Sequence, residues 1–466
     1  VKQQVLMAAQ QAGGQAQIDD SLLDEVTALV EWPQAIAGRF EKRFLDVPHE
    51  ALISTMQDHQ KYFPVVDEQG KLLPAFVTVA NIESRDIQAV RTGNERVIRP
   101  RFADAMFFWD EDRSTPLKSH LDSLKSLVFQ KRLGSVFDKV IRVEQLAAFI
   151  ARQINADVSA TRQAARLCKC DLQTQMVGEF PELQGVMGAH LARHEGLSDD
   201  IACALEDHYL PRRAGDELPR NDIGRALALA DRLDTLIGIF AIGQPPTGAK
   251  DPFALRRAAL GVLRIIIEQN LDLDLRELLQ QAAEGLSMQV AEANDHVLGV
   301  FEFITERQHA YSTDRGIRPD VFQAVSATGT TRPLDFEQRM QAVNAFLALP
   351  EAEALAAANK RIGNILRKNG IEGEQTVNPK LLQDAAEKQL YQQITALENQ
   401  VEQQLADNDF TAALNTLAGL ALPVDAFFDQ VMVMADDPDL KANRIALLQS
   451  ISGLFMRIAD IGQLQR

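Results

Sequence analysis

From about residue 120 to the end of the chain, apolar residues recur mostly three and four positions apart, which is the spacing of an amphipathic α-helix. The clearest predicted helices are 139–154, 161–177, 200–209, 224–240 and 251–268. Helical spacing continues beyond them, with a linker or elbow at 315–335 and an interruption near 369–378. At 466 residues the chain is long enough for about three domains. The pattern therefore predicts a mainly α, multidomain fold.

The first 115 residues differ, because strand and helix patterns are mixed there. Residues 59–81 read as two β-strands around a turn at 67–70, with strand-forming residues on both sides. A helical stretch around 20–30 precedes them. This predicts a small α/β N-terminal portion. The chain opens without Met, in what reads as the middle of a helix, so we expect its natural N-terminus to be missing.

The net charge of −17 argues against a general nucleic-acid binder, although it leaves room for RNA binding through local basic faces. Three cysteines, Cys168, Cys170 and Cys203, do not form a disulfide framework and fit a reducing cytoplasm. No apolar run approaches the length of a membrane span. We therefore expect a cytoplasmic protein.

A basic face is predicted on the helix at 357–368. At about 100° per residue, Ile362, Ile365 and Leu366 point to one side. The polar residues that cover one third of the helix on the other side are Lys360, Arg361, Asn364, Arg367 and Lys368. Such a face suits RNA phosphates and base edges. The alternative is an ordinary solvated helix face.

A second basic cluster lies at 91–113. Three arginines, Arg96, Arg99 and Arg101, precede the aromatic run 107–109. Arginine binds phosphate bidentately, and aromatic rings stack on unpaired bases. The alternative is that the aromatic run is core and the arginines pair with nearby carboxylates.

Arg444 is a further candidate for RNA contact. It lies in line with Leu448, Ile451 and Phe455 in a predicted amphipathic helix within 425–455. Its side chain either extends from the edge of the core into water or projects toward a ligand. The sequence leaves both possibilities open.

Histidines and carboxylates in the helical region raise the question of a metal site, because such residues hold metals that activate water. Their spacing is similar to that of the HD phosphohydrolase superfamily. The first His of that pattern falls on Lys139, the His-Asp dyad on Cys170 and Asp171, and the last Asp on Asp231. At two of the four positions, Lys139 and Cys170, this chain therefore lacks the histidine that the pattern requires as a metal ligand. This predicts an HD-like helical fold with a degenerate metal site and no bound metal. The alternative function is a metal-dependent phosphohydrolase.

The glycine-rich stretch 243–250 is not a phosphate-binding loop. Its lysine comes one residue late, and Asp251 stands where Ser or Thr should bind magnesium. We expect Asp251 to cap the helix that follows. Arg256 or Arg257 would then neutralise the carboxylates of the degenerate metal site, since a charge on an apolar face needs a partner.

Long segments closely resemble, in order, the β subunit of the bacterial heterotetrameric glycyl-tRNA synthetase. The segments that carry the resemblance are 59–65, 127–139, 178–188, 228–265 and 427–448. It covers essentially the whole chain, which would be the C-terminal two-thirds of that subunit. The resemblance implies four regions, namely part of an α/β domain, an HD-like helical domain, a helical linker region and a helical anticodon-binding bundle. We place them at 1–115, 116–270, 271–335 and 336–466.

The resemblance also implies a function. The enzyme of this family is an α2β2 assembly, in which the α subunit activates glycine with ATP and Mg²⁺ and the β subunit binds tRNA(Gly). We therefore expect a tRNA-binding, non-catalytic subunit of glycine–tRNA ligase that binds no cofactor itself. The chain contains no class I synthetase signature, no intact phosphate loop and no catalytic residue that we can assign.

Overall fold

The computed structural model describes residues 1–369 and 375–464. Within this part of the chain it has 20 α-helices and six short β-strands. This confirms the mainly α, multidomain fold. The chain divides into two units, Val1–Asp231 and Arg232–Arg466.

A small antiparallel sheet lies in the first unit. The strands are β1 (Gln15–Ala16), β2 (Gln34–Arg39), β3 (Phe63–Val66), β4 (Leu72–Ala80), β5 (Val128–Gln130) and β6 (Gly134–Ser135). Four of them form a sheet in the order β1-β3-β4-β2, and β5 pairs with β6. The predicted hairpin is confirmed: Asp67 accepts hydrogen bonds from the backbone N–H groups of Gln69 and Lys71 at 2.9 and 2.8 Å. Gly70 follows with a φ of 81°, which glycine adopts without steric cost.

Ten helices belong wholly or partly to the first unit. They are α1 (Lys2–Ala12), α2 (Asp20–Leu29), α3 (His49–Ser54), α4 (Ile87–Arg113), α5 (Val136–Gln153), α6 (Val158–Leu167), α7 (Gln175–Glu179), α8 (Val186–His194), α9 (Asp199–Asp207) and α10 (Asp222–Ala241), which crosses into the second unit. Helices α1 and α2 pack against the sheet through a core that contains Val5, Val26 and Phe63.

The prediction of one helix over 161–177 is wrong. Helix α6 ends at Leu167, a 3₁₀ turn follows at Cys170–Gln173, and α7 begins at Gln175. The buried carboxylate of Asp112 accepts the backbone N–H groups of Gln175 and Met176 at 2.8 and 2.9 Å. The new helix therefore begins with two hydrogen bonds to a residue 63 positions away in sequence, in addition to its local N-cap Thr174.

The regular elements of the second unit are all helices in the part that the structure describes. Its helices are α11 (Leu255–Glu268), α12 (Leu275–Leu286), α13 (Val297–Asp314), α14 (Pro319–Ser326), α15 (Pro333–Phe346), α16 (Ala352–Lys368), α17 (Ala385–Ala406), α18 (Phe410–Ala418), α19 (Ala421–Gln430) and α20 (Pro438–Met456). The stretch 315–335, predicted as a linker or elbow, contains α14. Its residues Val321 and Val325 are fully buried in the apolar core of the bundle α14–α20.

One segment, Phe410–Gln430, is long and apolar enough for a membrane span, contrary to the expectation from sequence. Its mean hydropathy is 1.3 over the best window, and 56% of that window is buried inside the protein. It consists of the two helices α18 and α19, which contribute Phe410, Leu414 and Phe427 to the core of the bundle. Packing in that core accounts for its apolar composition.

Candidate nucleic-acid interface

The outer face of α16 is the strongest candidate for binding nucleic acid. Leu355, Ala358 and Ile362 on its inner face are buried in the core of the bundle. The five polar residues predicted on the outer face are all exposed: Lys360, Arg361, Asn364, Arg367 and Lys368. The helical spacing therefore placed these side chains correctly.

We call the outer side of this helix the α16 basic face (Lys360, Arg361, Asn364, Arg367 and Lys368), and its four cations have no carboxylate partner in the part of the chain that the structure describes. None of the four forms an ion pair within residues 1–369 and 375–464. Although the chain has a net charge of −17, these four exposed cations lie next to one another and form a local basic surface. Such a surface attracts phosphate groups.

Two contacts fix the position of this face. The guanidinium carbon of Arg361 lies 4.2 Å from the centroid of the half-buried Phe428 ring, a cation–π contact that sequence analysis missed. On the other side, Gly462 approaches the backbone of α16 so closely that a Cβ atom there would lie 3.1 Å from the nitrogen of Lys360. The helix is therefore held at both its side chains and its backbone.

Arg444, predicted as an RNA contact, is not part of this surface. Its side chain is 8% exposed and forms ion pairs with Glu387 and, at 2.9 Å, with Asp384. It also donates a hydrogen bond to the carbonyl oxygen of Met432 at 2.8 Å. The prediction is corrected, because a buried cation that is already paired is not available to phosphate.

The arginines of α4 differ from one another. Arg99 pairs with Glu41 at 2.8 Å. Arg96 and Arg101 are exposed and form no ion pair within the part of the chain that the structure describes. Of the aromatic run, Trp109 is 5% exposed and belongs to the core, whereas Phe107 is 59% exposed. The two alternatives from sequence thus each hold for part of this segment.

The predicted metal-site positions come together in the first unit, but they do not form a metal site. Lys139 lies on α5 with its Nζ 3.2 Å from Oδ1 of Asp231 on α10. A second lysine that sequence analysis missed, Lys169, lies with its Nζ 3.6 Å from Oδ2 of the same aspartate. Two ammonium groups would repel a metal cation at this carboxylate.

The remaining two positions are occupied by other contacts. Oδ2 of Asp171 accepts backbone hydrogen bonds from Gly185 and Gly188 at 2.5 and 3.2 Å, and burial raises the pKa of this carboxyl to about 6. Burial also raises the pKa of the Cys170 thiol, which donates to the carbonyl oxygen of Arg166. A metal would have to displace the proton of this thiol in order to bind it. Within the described residues no group of three His, Cys, Asp or Glu could hold a metal ion.

Lys139 and Lys169 form ion pairs with Asp231, and the two arginines of α11 have other surroundings than the predicted ones. Arg257 is exposed, and Arg256 donates a hydrogen bond to the carbonyl oxygen of Gly248 at 2.7 Å. The predicted helix start with Asp251 as N-cap is wrong, because α11 begins at Leu255 and its N-cap position is Ala254. The carboxylate of Asp251 nevertheless accepts the backbone N–H groups of Leu255 and Arg256 at 2.8 and 3.0 Å from outside the helix.

Two other histidines of the region, His190 and His194, contact residues outside the predicted metal site. His190 on α8 contacts Glu50 on α3 at 2.9 Å, beside a cavity of about 450 Å³ that His49 and Trp109 also line. His194 lies against Trp109, with ring centroids 6.3 Å apart. Among the residues that the structure describes, neither histidine joins a carboxylate cluster that could hold a metal.

Comparison with known proteins gives two family matches. The family described as glycyl-tRNA synthetase beta subunit matches residues 1–327, and the family described as DALR anticodon binding domain matches residues 355–461. The second match contains the whole α16 basic face.

Curated relatives agree with the first match. The glycine–tRNA ligase beta subunit of Marinobacter nauticus is 52% identical over 459 residues, which is 98% of this chain and 66% of the relative. That of Chromohalobacter salexigens is 52% identical over 466 residues, 100% of this chain and 68% of the relative. That of Vibrio cholerae is 50% identical over 459 residues, with shares of 98% and 66%. The chain thus spans about two thirds of the length of the curated relatives that it matches.

Proposed function

Since the chain belongs to the family of glycyl-tRNA synthetase β subunits, we propose that it is the tRNA-binding, non-catalytic part of a glycine–tRNA ligase. In this proposal a partner α subunit, in an α2β2 assembly, binds ATP and Mg²⁺ and joins glycine to tRNA(Gly). This chain binds the tRNA, holds no cofactor and acts in the cytoplasm.

The α16 basic face is the observation that carries the proposal. It offers four exposed cations on one third of a helix, without carboxylate partners among the described residues, in the part of the chain that matches an anticodon-binding domain. Lys360, Arg367 and Lys368 are suited to phosphates, because lysine and arginine supply most phosphate contacts to nucleic acids. Asn364 lies among them and can both donate to and accept from a base edge.

Arg361 has a second role in this proposal. Its guanidinium is planar and lies over the ring of Phe428 at 4.2 Å, which restricts its orientation. A guanidinium held flat in this way can stack on an unpaired base while its N–H groups reach phosphate. We further propose Arg96 and Arg101 on α4 as phosphate contacts of the first unit.

The test is binding of this chain to tRNA(Gly) at one fixed, moderate salt concentration. The same tRNA with a changed anticodon and an unrelated tRNA are measured beside it. We expect the tightest binding to native tRNA(Gly) and weaker binding when the anticodon is changed. Equal binding to all three RNAs would contradict recognition by this chain.

The interface is tested by the double variant Arg367→Gln with Lys368→Gln. Its matched control is Lys380→Gln with Lys388→Gln, which removes the same charge from exposed positions of the same unit. We expect the first variant to weaken tRNA(Gly) binding by about tenfold or more and the control to change it much less. Equal losses in both variants would show that total charge, not the α16 basic face, determines binding.

A further inference from the structure

Two buried lysines converge on one aspartate in the first unit. The Nζ of Lys139 lies 3.2 Å from Oδ1 and 3.0 Å from the carbonyl oxygen of Asp231. The Nζ of Lys169 lies 3.6 Å from Oδ2 of the same residue. Lys139 and Lys169 are 4% and 7% exposed. Lysine is almost never buried to this degree unless it is paired, and two such lysines at one carboxylate are therefore unusual.

A histidine completes the surroundings of Lys169. His208 is fully buried, and its Nε2 lies 2.8 Å from the lysine Nζ. Its Nδ1 lies 2.8 Å from the carbonyl oxygen of Leu205, which can only accept a hydrogen bond. Nδ1 therefore carries the proton, and the lone pair of Nε2 points at the ammonium group. A metal-binding histidine is usually held in the same way, with its second N–H on a backbone carbonyl.

Aromatic rings cover both ammonium groups. Lys139 lies over the ring of Phe129 at 4.8 Å, and Lys169 lies over that of Tyr209 at 4.0 Å. Tyr209 packs against Gly185, where a Cβ atom would lie 2.7 Å from the ring. The two cations are thus enclosed by carboxylate, carbonyl, imidazole and aromatic groups from several separate segments.

We propose that the two ammonium groups take the place of a divalent metal ion in this site. They bring the same charge of two, and their partners are the donor types that transition metals use, namely a carboxylate, a backbone carbonyl and an imidazole nitrogen. Through these contacts they connect α5, the end of α9, the first part of α10 and the segment around Lys169. Unlike a metal ion, both cations are covalently part of the chain. The core of this unit therefore needs no metal.

The test removes both cations and supplies one extra ligand. In the double variant Lys139→His with Lys169→Ala, His208, Asp231 and the new histidine surround the vacated space. We expect this variant to bind one Co²⁺ per chain with the visible absorption of a low-symmetry site. We also expect Zn²⁺ to raise its melting temperature by roughly 5 °C or more. The unchanged protein should show neither effect, and chelator should leave its melting temperature unaltered.

The matched control adds His208→Gln to the double variant, which removes the imidazole lone pair and keeps a polar side chain. Co²⁺ absorption and Zn²⁺ stabilisation should both disappear. A folded double variant that binds no Co²⁺ overturns the proposal, as does stoichiometric metal in the unchanged protein. If the double variant is insoluble without metal, the soluble yield in the presence of Zn²⁺ is measured instead. A soluble yield that Zn²⁺ restores in the double variant but not in the triple variant supports the proposal. A yield that Zn²⁺ restores in neither variant overturns it.

Discussion

The two groups of cations in this protein, the lysines around Asp231 and the α16 basic face, have opposite surroundings. Lys139 and Lys169 are buried, and each has a carboxylate or imidazole partner. The cations of the α16 basic face are exposed and have no carboxylate partner among the described residues. Burial makes pairing obligatory, because an isolated buried charge costs several kcal/mol. Exposed cations carry no such requirement and stay available to a ligand.

Arg444 shows that the same rule operates within the second unit. It lies in the same bundle as the α16 basic face, yet it is enclosed by Glu387, Asp384 and the carbonyl of Met432. Glu387 in turn accepts the backbone N–H groups of Gln383 and Asp384, so the ion pair also caps α17. Exposure, not residue type, separates the structural arginine from the candidate RNA contacts.

The largest effect on stability is expected from Arg444→Met. The change leaves Glu387, which is 1% exposed, as a buried carboxylate without its cation. We expect the free energy of unfolding to fall by about 3–5 kcal/mol, measured by urea denaturation. In the double variant with Glu387→Gln most of this stability should be recovered. A change below about 1 kcal/mol for the single variant would place Arg444 with the exposed cations.

A pH-dependent effect is expected from Asp171. Burial raises its pKa from 3.8 to about 6, so between these values the folded protein binds more protons at this site than the unfolded chain does. Its contribution to stability is therefore fully present below pH 3.8 and is lost as the pH rises through about 6. The shift corresponds to about 3 kcal/mol.

The comparison is with Asp171→Asn, which keeps an oxygen to accept the N–H groups of Gly185 and Gly188 but does not titrate. We expect the free energy of unfolding of the unchanged protein, relative to this variant, to decrease between about pH 4 and pH 7. The measurement is urea denaturation of both proteins at several pH values. A difference that is constant over this range would show that Asp171 does not titrate there.

Removing all four cations of the α16 basic face should change binding and leave stability intact. The variant replaces Lys360, Arg361, Arg367 and Lys368 by Gln. We expect the magnitude of the slope of log affinity for tRNA against log salt concentration to fall by up to about four. This is close to one unit for each phosphate that the variant no longer binds. The free energy of unfolding should change by only about 0.5 kcal/mol per exposed site or less. An unchanged slope would identify the face as ordinary solvated surface.

The smallest effect is expected from Phe428→Leu. Leucine keeps apolar packing with the bundle but removes the ring under Arg361. A cation–π contact at an exposed site contributes about 0.5–1 kcal/mol, so tRNA affinity should fall about two- to fivefold. The matched variant Arg361→Lys tests the same contact from its other partner. Unchanged affinity in both would show that the orientation of Arg361 does not matter for binding.

Periodicity predicted the parts of this fold that depend on local spacing. The outward direction of the α16 side chains follows from 3.6 residues per turn, and the hairpin between β3 and β4 follows from its turn residues. It did not predict the break after Leu167 or helix α14. Hydrogen bonds to Asp112 from a distant helix contribute to the first, in addition to the local cap Thr174, and the second depends on burial in the bundle. The proposed regional boundaries stay predictions.

The sequence by itself determined the family, the mainly α fold and the exposed basic face, because long matching segments and helical periods are properties of neighbouring residues. Only the tertiary structure decided which cations are structural. Arg444 lies on a helix whose spacing allowed either a core or a ligand role, and Lys169 carried no signal at all. The ionic and imidazole partners that define their structural role lie far away in the chain, with Glu387 57 positions from Arg444 and His208 39 positions from Lys169. Pairing of buried charge depends on which segments meet in space, and the linear pattern does not contain that information.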